Sequence, residues 1–174
     1  MKNKETAFLF IRYLILFLIA LHGLFIIYFI FTPATIFPSF FVLKEIYGAV
    51  LNGNVISFAH GEIALVSACI AGSAYYLLLV LNLSTPMEIK KRVKSILFLL
   101  VSFLFINIIR IVVFSYLLYS GFEYFDIAHK AAWYFGSTVM VIILWFINIH
   151  IFNIKDIPIY TDFSGLIKET RKKY

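Results

Sequence analysis

The sequence predicts an all-α integral membrane protein of about four transmembrane helices, with an extracytoplasmic interfacial segment and both termini in the cytoplasm. Three observations carry that expectation. Of 174 residues, 63% are hydrophobic and 14% charged, more apolar surface than a soluble domain of this size can hide. Several apolar runs reach the roughly 20 residues that a helix needs to cross the hydrocarbon core. Lys and Arg gather in alternate connections, as the positive-inside rule describes.

The first run, Ala7 to Phe31, follows Lys2 and Lys4. It is longer than the apolar core of a signal peptide and no small-x-small cleavage site follows, so a retained helix is expected. Pro33 and Pro38 are expected to stop it, because proline removes a ladder hydrogen bond. Residues 32–66 then form the interfacial segment. Phe40 to Leu51 mixes apolar residues with Lys44 and Glu45, as a helix lying in the interface does. Asn52-Gly53-Asn54 is a turn signal, and Val55 to Ala59 with Glu62 to Val66 suits a short hairpin. The competing assignment starts a helix at Gly61.

A core of three transmembrane helices is expected over residues 67–152, followed by a basic cytoplasmic tail over 153–174, the whole forming one membrane domain. Its second span runs from Ser67, as a helix cap, to about Leu83; the third covers Ile96 to Tyr119 and the fourth Ala131 to Phe152, with Asp126 expected as its N-cap. Lys90, Lys91, Arg92 and Lys94 precede span three, and Lys155, Lys168, Arg171, Lys172 and Lys173 follow span four. The outer connections hold only Lys44 and Lys130. The net charge of +6 is therefore accounted for by topology and anionic headgroups, and no nucleic-acid partner is expected.

Three polar residues share one expected level near the outer face. Cys69 stands in the first turn of span two, where free N–H groups and partial positive charge activate thiols as nucleophiles. As the only cysteine it has no intrachain disulfide partner. Arg110 lies ten residues before Ser120, about 15 Å down an untilted helix, and insertion of a central arginine costs about 2.5–3.5 kcal/mol. Asn107, three positions earlier, could orient its guanidinium. His129 sits at the mouth of span four, with Asp126 three residues before it as an orienting group. A nucleophile, an oxyanion donor and a general base are the chemical set that acyl transfer requires.

Each residue also has a plain reading: an inert packing cysteine, a snorkelling arginine, and an interfacial histidine beside an ordinary cap. His60, Glu62 and Glu123 are weaker outward candidates, and His22 and His150 suit packing or interface roles. Ala64, Ala68 and Gly72 form a small-xxx-small ridge if the helix reaches that far. No His, Cys or carboxylate spacing suits a metal, and no cofactor is expected.

The stretches SACIAGSAYYLLL around Cys69, INIIRIVVF around Arg110 and FDIAHKAAWYFGSTVMVIILW around His129 resemble the exosortase/archaeosortase group of membrane processing enzymes, in its short archaeal-type form. The likeness covers about Gly53 to Phe152. It departs where Ile70-Ala71-Gly72 follows the cysteine in place of the group's frequent Ser-Gly or Thr-Gly, and in having fewer N-terminal spans. The resemblance implies a cysteine protease or transpeptidase with Cys69, Arg110 and His129 as catalytic residues facing the cell exterior. It would act through a Cys thioester. Its implied partners are surface-protein substrates ending in a motif, a hydrophobic helix and a basic tail, with membrane lipid as an acceptor. The rival expectation is a non-catalytic membrane protein, a transporter subunit or assembly partner, in which Arg110 pairs with Glu62 or Asp126.

Overall fold

The computed structural model describes residues 3–22, 24–59, 61–162 and 164. Lys2, His60 and the tail residues Lys168, Arg171, Lys172 and Lys173, all named above, lie outside them. The chain is mostly helical. In order it forms α1 (Asn3–Leu21), α2 (Phe25–Tyr47), β1 (Val50–Asn52), β2 (Val55–Phe58), β3 (Gly61–Ala64), α3 (Ser67–Ile70) and α4 (Gly72–Leu83). There follow α5 (Ile89–Tyr119), α6 (Phe125–Ala131), a π-helical turn (Ala132–Gly136) and α7 (Ser137–Phe152).

Among the described residues three continuous helices are long and apolar enough to cross a membrane: Phe25–Tyr47, Ile89–Tyr119 and Phe125–Phe152. Ala7–Leu21 and Ser67–Leu83 are apolar but shorter. The expected first span is therefore corrected. The helix breaks after Leu21, Leu24 takes a left-handed φ of +61° before α2, and Pro33 and Pro38 lie inside α2 instead of ending it. Both prolines are exposed on the outer face of α2, and prolines are tolerated in apolar helices where local adjustments and nearby Ser or Thr hydroxyls serve the freed backbone groups. What ends α2 is Gly48, at φ +62°, whose N–H returns to the Lys44 carbonyl.

Helix α5 is the central element, about 46 Å long at the usual rise. Its buried residues are Ser95, Leu99, Phe103, Asn107, Ile111 and Ser115, a strip repeating every fourth position. That spacing keeps one face inward. Between the strip positions stand Leu97, Val101, Phe105, Ile109 and Val113, large apolar residues directed outward. Lipid is their natural neighbour, and the inward strip, half of it polar, is what one expects when the surrounding solvent is as apolar as leucine. Helix α2 answers with buried Thr35 and Ser39, small side chains that let two helix backbones approach closely, and with Leu43, which fills the core beyond them.

The core falls into two clusters along the bundle axis. One joins Ile27, Tyr75, Leu78, Phe103, Leu144 and Trp145, with the Phe31 ring stacked on Tyr75 at 3.8 Å. The other joins Ile36, Leu43, Ile56, Leu65, Ile70 and Ile111 beneath the sheet. Residues 50–64 form an antiparallel meander in the order β1-β2-β3, with Val50 opposite Ser57 and Ile56 opposite Ile63. The hairpin over residues 55–66 is thus present as strands, with a third strand added by Val50–Asn52 where an interfacial helix was expected to continue. Gly53, in the two-residue loop, takes φ +63°, a conformation that glycine adopts without steric cost. Phe58 seats the sheet on the bundle by meeting Tyr47 and Tyr119, which end α2 and α5.

At the opposite end of the bundle the polar groups are tightly tied. Asn82 Nδ2 donates to Ser95 Oγ at 2.6 Å, and Ser95 Oγ donates to Asn148 Oδ1 at 2.8 Å, joining α4, α5 and α7 through one hydroxyl. Arg92 donates to the carbonyls of Asn82 and Thr85, which close the C-terminal end of α4. Ser95→Ala is expected to strand two fully buried amides and cost about 1–3 kcal/mol, read as a lower unfolding midpoint of the detergent-solubilised protein. An unchanged midpoint would show that Ser95 is not the link between the three helices.

Candidate functional site

The site begins with a broken helix. Ala71 adopts φ +58°, ψ +44°, ending α3 after four residues and starting α4 in a new direction. For an alanine this left-handed turn costs roughly 1–2 kcal/mol. It also ends the regular ladder beside the Cys69 carbonyl, which accepts from Asn107 Nδ2 at 2.8 Å and from Arg110 Nη2 at 3.4 Å. The remaining Arg110 contact is Nη1 to Ser137 Oγ at 3.1 Å. Asn107 thus shares an acceptor with Arg110 and does not bond to the guanidinium itself, a correction to its expected role.

Above this junction lies a cavity of about 360 Å³. Cys69, Arg110 and His129 all line it, so the structure brings the three sequence candidates to one place. Glu62 also lines it, while Asp126 does not. The walls are otherwise mostly apolar, drawn from β3, α5 and the α6 region. Sequence reading missed Ser137, which lies one residue past the π-helical turn. A serine in an apolar helix carries no signal of what it faces.

Co-location is not connection. The Cys69 thiol is turned toward the Ala64 carbonyl at 4.0 Å, on the neighbouring strand. The His129 ring stacks on Phe125, 5.4 Å away at 9°, and meets the edge of Phe114. Asp126 sits exposed in the first turn of α6, whose N-cap is Tyr124 without a side-chain bond. Ser67 likewise does not cap α3, whose N-cap is Val66. Ala64 belongs to β3, so the expected helical ridge with Ala68 and Gly72 does not form. Gly72 instead lies against Tyr28, whose ring is within 3 Å of where a Cβ would stand.

Comparison with known proteins returned no matching family model, no matching curated protein and no matching solved structure.

The expected cysteine protease or transpeptidase is overturned by this arrangement. Among the described residues no group of three or more His, Cys, Asp and Glu side chains is placed to hold a metal ion, and the Glu62, Cys69 and His129 side chains on the cavity lining are not hydrogen-bonded to one another. Neither Cys69 nor Asp126 is hydrogen-bonded to His129, so the relay from thiol to base to orienting carboxylate is missing. Among the described residues the arginine that a carboxylate does engage is Arg12, whose Nη2 reaches Asp162 at 2.8 and 2.9 Å. The rival expectation also needs correction in detail: the ion pair is Arg12 with Asp162, not Arg110 with Glu62 or Asp126.

Because the Cys69 backbone is used and its thiol makes only the long contact to the Ala64 carbonyl, Cys69→Ser is expected to shift stability by less than about 1 kcal/mol. Asn107→Ala, which leaves a buried carbonyl short of a donor, should cost about 1–3 kcal/mol. Ala71→Gly is expected to be neutral or to stabilise by up to about 1 kcal/mol, since glycine takes the left-handed turn freely. Thermal unfolding of the three variants checks the ranking; a Cys69→Ser loss as large as that of Asn107→Ala would contradict it.

Proposed function

We propose that this chain is a non-catalytic multi-pass membrane protein, a subunit or assembly partner whose own bundle is fastened by a polar clamp at one end. The observation that carries this reading is the Arg12–Asp162 pair. Its side chains are only 13% and 8% exposed, and Arg12 Nη2 reaches both oxygens of the carboxylate. Arg12 Nη1 also donates to the Thr85 carbonyl at 3.2 Å, and Tyr13 OH donates to Asp162 at 3.3 Å. The pair therefore joins the first helix, the turn after α4 and the segment after α7. The guanidinium spreads its two terminal nitrogens over two elements, Nη2 on the Asp162 carboxylate and Nη1 on the Thr85 carbonyl, so one side chain sets the distance between them.

Charge placement supports an orientation for this reading. Arg92 shares the Thr85 carbonyl with Arg12, and Lys90, Lys91 and Lys94 stand beside it in the first two turns of α5, with Lys155 after α7. That end faces the cytoplasm, and the cavity with its sheet faces the exterior. On this reading the first crossing is made jointly by α1 and α2, α3 with α4 makes the second, and both termini are cytoplasmic. The likeness to the exosortase/archaeosortase group then concerns where Cys69, Arg110 and His129 stand around a cavity and not a reaction.

Breaking a buried pair by removing one partner costs about 3–5 kcal/mol. Arg12→Asp and Asp162→Arg are each expected to lower the amount of folded protein in membranes, and the double exchange to restore most of it. Cys69→Ser should accumulate as the native chain does. Failure of the exchange to rescue would remove the clamp from the argument, and an acyl adduct on Cys69 in the intact mass of the purified protein would end the non-catalytic reading.

A further inference from the structure

We infer that the cavity at the sheet end is a binding site for a single-chain amphiphile with a carboxylate head, held by Arg110. The inference deepens the non-catalytic reading, on which it rests, by giving the cavity an occupant. A guanidinium keeps its charge under all ordinary conditions, and Arg110 is half-buried in the cavity wall. Its hydrogen bonds go to two neutral oxygens, Ser137 Oγ and the Cys69 carbonyl. Among the described residues no carboxylate lies within ion-pair reach of it. A permanent cation in an apolar cavity with only neutral partners is a charge awaiting its complement.

The rest of the cavity sets the shape of that complement. Ile63, Leu65, Ile111, Phe114, Leu118 and Trp133 form apolar walls. A volume of about 360 Å³ lies at the low end of the roughly 300–1,000 Å³ common for small-molecule sites. One alkyl chain suits it better than two. Glu62 on the lining opposes a second negative charge, which favours a carboxylate over a phosphate monoester of about two charges. The planar fork of arginine matches the two oxygens of a carboxylate. His129 and the Cys69 thiol remain beside the head as polar lining and take no covalent part.

Cys69 supplies the readout, since it lines the same cavity and is the only thiol. The full-length protein in a non-ionic detergent, stripped of lipid, would be alkylated with N-ethylmaleimide in the presence of palmitic acid, methyl palmitate or a phosphatidylglycerol. Palmitic acid is expected to slow alkylation at least tenfold and reversibly, with the methyl ester and the phospholipid much weaker. Arg110→Gln should abolish the difference between acid and ester, and Arg110→Lys should keep part of it. Equal protection by acid and ester on the native chain would overturn the proposal without need of any variant, as would stronger protection by the phospholipid or none by the acid. A thioester at Cys69, formed from methyl palmitate with loss of methanol, would overturn the non-catalytic reading and with it this inference, whereas the other adverse outcomes leave that reading standing.

Discussion

The carbonyl of Cys69 is the point on which the outer half of the molecule turns. In an apolar medium every backbone oxygen must find a donor inside the protein, because no water is at hand to serve it. The left-handed turn at Ala71 interrupts the helix there, and α5 supplies Asn107 and Arg110 in compensation. That exchange fixes α3 against α5 and draws a charged side chain into the interior. It also redirects α4, so that Tyr75 reaches Phe31 and Phe103 in the middle of the bundle.

The two ends of the bundle solve the same problem differently. At the clamp end Asp162 answers the charge of Arg12, and Arg92 is spent on closing the carbonyls of Asn82 and Thr85, with no open volume beside either arginine among the described residues. At the sheet end, charge meets neutral oxygens and an open volume. A protein that needed only rigidity would gain by treating both ends alike. The asymmetry is the reason for assigning fastening to one end and binding to the other.

Much of the architecture was visible in the sequence, and the misses share a cause. Spans three and four could be read because nothing interrupts their apolar runs long enough to mislead. The hairpin was visible in Asn52-Gly53-Asn54 and the alternating residues after it. The first span was misread because proline is a strong breaker in water, whereas α2 carries Pro33 and Pro38 on the outer face of an apolar bundle. The break at Ala71 was invisible, since alanine is the best helix former and only tertiary contacts hold it at positive φ. For the site, residue type and depth sufficed to place Cys69, Arg110 and His129 around one cavity. Side-chain direction did not follow from them: the imidazole turned to Phe125, the thiol to Ala64, and the decisive ion pair joined Arg12 to a residue 150 positions away.

The π-helical turn at Ala132–Gly136 has a geometric effect on the cavity. His129 and Ser137 are eight residues apart, which in a regular α-helix puts them about 80° from one another around the axis. A π turn absorbs one extra residue, so the two are phased as if seven apart, within about 20°. One wide coil thereby brings the imidazole at the rim and the hydroxyl that holds Arg110 onto a common meridian of the helix. Removing a single residue from that coil would straighten the helix while leaving both side chains aimed as they are, so the bulge acts as a vernier between the rim of the cavity and its floor.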